Sequence, residues 1–155
     1  MNRIRILLAT LLVGAGGSAA IADAHAGSTS AHAAKAAKVE LRKTERGRIL
    51  VNSSGFTLYR FMIDPRNKDR CVMVSECPQV WPPLTTSGRP LAGPGVSSSL
   101  LSTISLPNGK KQVTYAGHPL YRYAPATERG ETSYIGVKQF GGVWEAVNAA
   151  GRGVK

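Results

Sequence analysis

Few side chains in this sequence are suited to chemistry. Cys71 and Cys77 bracket the stretch "CVMVSEC", with Met62, Met73 and His118 as the other soft donors. Reduced, Cys71, Met73, Cys77 and His118 would suit copper, or with the aromatic residues a heme. In an exported chain the two cysteines are instead expected to pair as a disulfide, which consumes both thiols. Asp64 follows "YRFMI" and precedes Pro65. There a carboxylate either forms a turn by accepting backbone N–H groups or serves as a ligand-binding group beside Tyr59 and Phe61. An enzyme acting on envelope carbohydrate would have to use Asp64, because no nucleophile elbow, paired-carboxylate site, zinc signature or phosphate loop is readable. The expectation is no catalytic residue and no cofactor, with copper or heme handling as the alternative.

The elements that must position these residues are spelled twice. "GFTLYRF" at Gly55–Phe61 returns as "GHPLYRY" at Gly117–Tyr123, an offset of 62 residues that also places Val51 on Val113. In each copy two β-rich runs flank a turn cluster, "NSSG" or "AGHP", which predicts a duplicated β-hairpin. Gly55 and Gly117 hold the same place, where a positive φ costs glycine little. Alternation sends Leu58 and Arg60 to one face and Tyr59 and Phe61 to the other, and the second copy repeats this with Leu120 and Arg122 against Tyr121 and Tyr123. Trp81 and Trp144 close the copies. This aromatic set, Tyr59, Phe61, Trp81, Tyr121, Tyr123 and Trp144, either lines a ligand groove or forms the core between the halves.

Strand signals recur at short intervals, and no longer segment beyond the N-terminal region has helical spacing. The fold class is therefore all-β, a small sandwich or barrel built from two related hairpin-containing repeats, about 47–84 and 109–150, sharing one core. Trp81-Pro82-Pro83 reads as an extended segment covering a sheet edge, because proline cannot donate to a ladder.

The N-terminus reads as an export signal. Arg3 and Arg5 precede the apolar "ILLATLLVGAG", and small residues follow. The apolar run is shorter than the roughly 20 residues that span a bilayer. Removal after Ala24, or alternatively after Ala26, would leave a chain beginning with the signal (1–24) gone, a linker (25–39) containing His32, and one domain (40–155). Cleavage after Ala24 would expose His25, whose amine and imidazole together chelate Cu(II). No cysteine lies near either cut, so a soluble periplasmic or secreted protein without a lipid anchor is expected.

The net charge is +11 for the whole chain. Such a balance favours an anionic envelope polymer or membrane surface as partner, through a field that salt screens. The charges are scattered without an arginine-rich stripe, so nucleic acid is not expected.

Taken in order, "YRFMID", "CPQVWPPL", "TYAGHPLYRY" and "FGGVW" resemble the secreted-repeat family of bacterial envelope proteins, predicted lipoproteins with a Y-x-(F/W/Y)-x-x-D motif. The resemblance runs from about Gly47 to Gly151 and places Tyr59, Phe61 and Asp64 on that motif. It implies an envelope location and a repeated β domain, and no particular activity. Two departures stand out: Ala126 replaces the aspartate in the second copy, and the cysteine spacing is longer than is typical of the family.

Overall fold

A computed structural model describes residues 36–155. The expected signal peptide, His25, His32 and most of the linker lie outside the described residues. The strands are β1 (Lys38–Thr44), β2 (Gly47–Asn52), β3 (Leu58–Phe61), β4 (Thr85–Thr86), β5 (Leu91–Ala92), β6 (Leu101–Ser105), β7 (Lys111–Tyr115), β8 (His118–Pro119), β9 (Tyr121–Arg122), β10 (Lys138–Gln139), β11 (Gly142–Val147) and β12 (Gly153–Val154). A single helical turn, α1 (Cys77–Val80), and two 3₁₀ turns are the helical pieces among the described residues. The all-β class read from the sequence is the class observed. β1 begins at Lys38 and Val39 is fully buried, two residues ahead of the domain start expected at Glu40.

Three sheets are built from the repeat: β2-β1-β5, β10-β11-β3-β9 with β12 beside β11, and β4-β7-β6 with β8 beside β7. The 62-residue offset maps β1 onto β6, β2 onto β7 and β3 onto β9. The repeats exchange strands. Tyr59 pairs with Tyr121 across the antiparallel β3–β9 contact, so equivalent residues face each other on a local two-fold axis. β4, from the first repeat, pairs Thr86 with Lys111 of β7, and Asn148 after β11 bridges back to Ile49 of β2. Those two pairs are images of one another under the same offset.

This exchange corrects one expectation. β2 and β3 do not form a full hairpin; only Val51 and Thr57 bridge. The ladder groups of β3 are instead taken by β9 and β11. The second copy keeps a short hairpin, with Thr114 opposite Pro119 and Tyr115 opposite His118. Trp81-Pro82-Pro83 runs along β9, where Pro83 bridges Tyr121 and the Arg122 N–H donates to Pro82 O. Prolines fit on that edge because they only need to accept there.

Side-chain alternation on β3, β9 and β11 divides the interior into two. Leu58, Leu120 and Val147 enter an aliphatic core with Val39, Leu50, Val113 and Tyr115. Tyr59, Phe61, Tyr121, Trp144 and Ala146 enter an aromatic core with Ile49, Trp81 and both cysteines. Each fully buried large apolar side chain contributes about 1.5–3 kcal/mol relative to exposure. A one-residue slip of β3 would send Tyr59 to the aliphatic side and Leu58 to the aromatic side, so the register is firmly specified.

Candidate functional site

The aromatic set is closed to solvent. Tyr59, Phe61, Trp81, Tyr121 and Trp144 are all at most 1 % exposed, and only Tyr123 is partly exposed. Their rings form a column: Phe61 stacks on Trp144 at 4.1 Å, Trp144 on Trp81 at 4.0 Å, and Trp81 meets Tyr123 at 4.6 Å, which meets Tyr134 at 3.9 Å. Of the two arrangements open to these residues in the sequence, they occupy the core between the halves. Gly142 is part of the reason for "FGG": a Cβ there would lie 2.6 Å from the Phe61 ring.

Asp64 is buried at the end of β3 and is held from both sides. The Tyr121 hydroxyl donates to Oδ2 at 2.6 Å and the Arg70 backbone N–H donates to Oδ1 at 2.8 Å. Burial pushes its carboxyl up, helped by the nearby Asp69 carboxylate, while those two hydrogen bonds hold it down; the result is about 6. Burial and the same carboxylates push the Tyr121 phenol far above its ordinary value. The contact crosses the repeats. Its image would join Tyr59 to Ala126, which has no carboxylate, and the Tyr59 hydroxyl donates instead to the Glu131 carbonyl at 3.3 Å.

Cys71 and Cys77 are joined in a disulfide, buried in the aromatic core below Trp81. The thiols that a copper site would use are therefore not free. Met73 is exposed, and the His118 ring meets Arg60 instead. No group of three or more His, Cys, Asp or Glu with metal-binding proximity occurs among the described residues.

The polar groups that the fold does bring together lie at the two glycine turns of the repeated phrase. At the second turn, Arg60 is paired with Glu145 at 2.8 Å, with side chains 15 % and 3 % exposed. Its Nη1 donates to His118 Nε2 at 3.3 Å. A guanidinium cannot accept, so Nε2 must, which leaves the imidazole proton on Nδ1. Burial first, then Arg60 and Arg66, hold the His118 pKa below its ordinary value, with Glu145 acting the other way. Arg66 lies over the Gly117 backbone, where a Cβ would come within 2.8 Å of its Nη2. The Asn67 N–H fixes this loop by donating to Gly117 O at 2.8 Å. Gly153 is equally constrained, because a Cβ there would strike the Glu145 carboxylate and Arg60.

The first turn repeats this plan with different residues. Arg122 is the image of Arg60 and lies 5.9 Å from the ring of Phe56, the image of His118. Arg42 and Arg129 both close on Gly55, with a Cβ there falling 3.1 Å from Arg42 Nη2 and 3.2 Å from Arg129 Cδ. The Gly130 N–H donates to Gly55 O at 2.8 Å, as Asn67 does to Gly117. This turn adjoins a polar cleft of about 360 Å³ whose lining includes Arg42, Lys43, Glu45, Glu128, Arg129 and Thr132. Sequence reasoning named His118 only as a soft ligand and missed Arg42, Arg60, Arg66, Arg129 and Glu145 as parts of a site. The arginine inside "LYR" was the available signal.

The cleft beside the first turn carries Arg42, Lys43 and Arg129 against Glu45, Glu128 and Glu131, yet among the described residues only Lys38 and Arg60 have a side-chain carboxylate within 4.0 Å. Asp64 and Glu145 are buried, which withdraws acids from the surface. Lys43 stands directly opposite Arg48 on β1 and β2, a like-charge pair that lowers stability. Among the described residues no helix is long and apolar enough to cross a membrane.

Comparison with curated proteins and with solved structures returns no match. A family model matches the chain twice, at residues 40–85 and 102–148. The two matches begin seven residues ahead of the bounds read from the repeated phrase, and thereby take in most of the equivalent strands β1 and β6. With most of the domain covered, and in two copies set 62 residues apart, the chain belongs to the family described as a secreted repeat of unknown function.

Proposed function

We propose that this protein is an exported, non-catalytic β domain that binds an anionic polymer of the cell envelope through its basic surface. The supporting observation is that, among the described residues, the lysines and arginines other than Lys38 and Arg60 have no side-chain carboxylate within 4.0 Å, while Asp64 and Glu145 are buried. Unpaired surface cations repel one another and cost stability unless an external anion offsets them. The opposed Lys43 and Arg48 are the plainest instance. The aliphatic core, the aromatic core and the disulfide hold together the strands and loops that carry these cations.

The test is binding to two forms of one polysaccharide, polygalacturonate and its fully methyl-esterified counterpart, at low ionic strength. Binding to the charged form alone is expected. Equal binding to both would show that the backbone sugar, and not its charge, is recognised.

A further inference from the structure

We infer that the duplicated turns form two quasi-equivalent oxyanion sites, one at Gly117 with Arg66 and His118, the other at Gly55 with Arg129 and Arg42, that grip successive anionic groups of one linear polymer. The inference rests on the polyanion reading above and adds to it the residues and the valency.

Four observations carry it. First, the glycine of each turn lies under arginine side chains: the Arg66 guanidinium over Gly117, and the Arg129 aliphatic stem with the Arg42 guanidinium over Gly55, Arg66 and Arg129 each coming from a loop of the other repeat. Second, the loops are tied down by matching backbone bonds, Asn67 N–H to Gly117 O and Gly130 N–H to Gly55 O. Third, Arg66 and Arg129 are exposed and have no carboxylate within 4.0 Å, whereas the adjacent Arg60 is fully engaged by Glu145. Guanidinium forks match the oxygens of phosphate or carboxylate, and the bond is stronger for being charge-assisted. Fourth, with Nε2 of His118 taken by Arg60, its Nδ1–H is the nitrogen left to donate beside Arg66.

Symmetry supplies the valency. The axis through the Tyr59–Tyr121 pair relates antiparallel neighbours and so stands perpendicular to the sheet. A two-fold of that direction keeps both sites on one side of the sheet, where Arg60 and Arg122 also project. A chain long enough to reach from one turn to the other gains the second contact at high effective concentration, whereas a single anion binds each site separately and weakly. The sites are not identical: Phe56 in place of His118 leaves the first turn without the imidazole donor.

Three variants of the full exported chain test this: Arg66→Gln, Arg129→Gln and, as an equal charge change away from both turns, Arg89→Gln. All three side chains are exposed and outside ion pairs, so folding is preserved. In a backbone-amide NMR titration with orthophosphate, two separate groups of signals are expected to move, around Gly117 and around Gly55. Arg66→Gln should abolish the first group only and Arg129→Gln the second only. With long-chain polyphosphate, either change should weaken binding about a hundredfold, as loss of one arm of a bivalent contact does, and Arg89→Gln should leave it nearly unchanged. Polygalacturonate run in parallel separates a carboxylate polymer from a phosphate one, and the same arginine pattern with either supports the inference. Equal losses for all three variants would overturn the two-site inference while leaving the basic-surface reading intact. Failure of the unmodified protein to bind either polymer at low salt would overturn both.

Discussion

Trp81 and Trp144, the closing tryptophans of the two repeats, lie face to face with ring centroids 4.0 Å apart and planes within 2°. Each comes from a different half of the chain, so their stack is where the two repeats become one core. Aromatic pairs of this kind are worth about 0.5–1.5 kcal/mol beyond the area they bury. Replacing either by alanine is expected to cost about 3–5 kcal/mol. Because they share a contact, the double variant should cost less than the two single losses together, which a double-mutant cycle in urea would measure. Strict additivity would mean that the halves do not depend on this stack.

Asp64 makes stability depend on pH in an unusual direction for a carboxylate. Its folded pKa is about 6 against an ordinary 3.8, because burial outweighs the bonds from Tyr121 and Arg70. Between those values the folded state holds the proton more tightly than the unfolded state. The contribution of Asp64 to stability is therefore full below about pH 4, falls as pH rises toward 6, and is constant above it. Asp64→Asn should flatten this part of the stability profile, measured by thermal unfolding at a series of pH values. An unchanged slope between pH 4 and 6 would refute the account of this residue.

The disulfide closes a short loop against the aromatic core, so its removal should be felt locally and moderately. Cys71→Ala with Cys77→Ala is expected to lower stability by about 2 kcal/mol, the figure for so short a loop. Loss of hydrogen-exchange protection should centre on residues 70–81. Protection lost equally from β6 and β7 would show that the disulfide organises the whole domain.

His118 couples the second turn to pH. It is faced by Arg60, Arg66 and Glu145, and its pKa is held below the ordinary 6.5. Forming the imidazolium protonates Nε2 and gives up the hydrogen bond from Arg60, which an oxyanion seated beside Arg66 offsets, so polyanion affinity should rise as pH falls below the ordinary 6.5. His118→Phe, which installs the residue found in the first repeat, should remove that rise while leaving binding at pH 8 within about twofold. A pH dependence that survives the change would assign it to another group.

The repeated phrase made much of this architecture readable. Alternation in "LYRF" and "LYRY" placed Tyr59, Phe61 and Tyr121 on one face, and the structure has them in one core. It could not show that β3 would leave β2 for β9 and β11, because local turn chemistry is silent about which distant strand offers the better ladder. The Arg60–Glu145 pair was hidden for the same reason. Those residues are 85 positions apart, and nothing near "WEAV" marks its glutamate as buried. Ala126 was legible as a missing acid, yet the compensation, a Glu131 carbonyl under the Tyr59 hydroxyl, depends on a loop path that polar sequence does not encode.

If unpaired surface cations hold an anionic polymer, the affinity of this protein for long-chain polyphosphate, followed by fluorescence anisotropy of an end-labelled polymer at several salt concentrations, should fall steeply and steadily as salt rises, because each contact is an exposed charge within reach of screening. Affinity that stays level from low to high salt, or no binding at low salt, would overturn the polyanion reading.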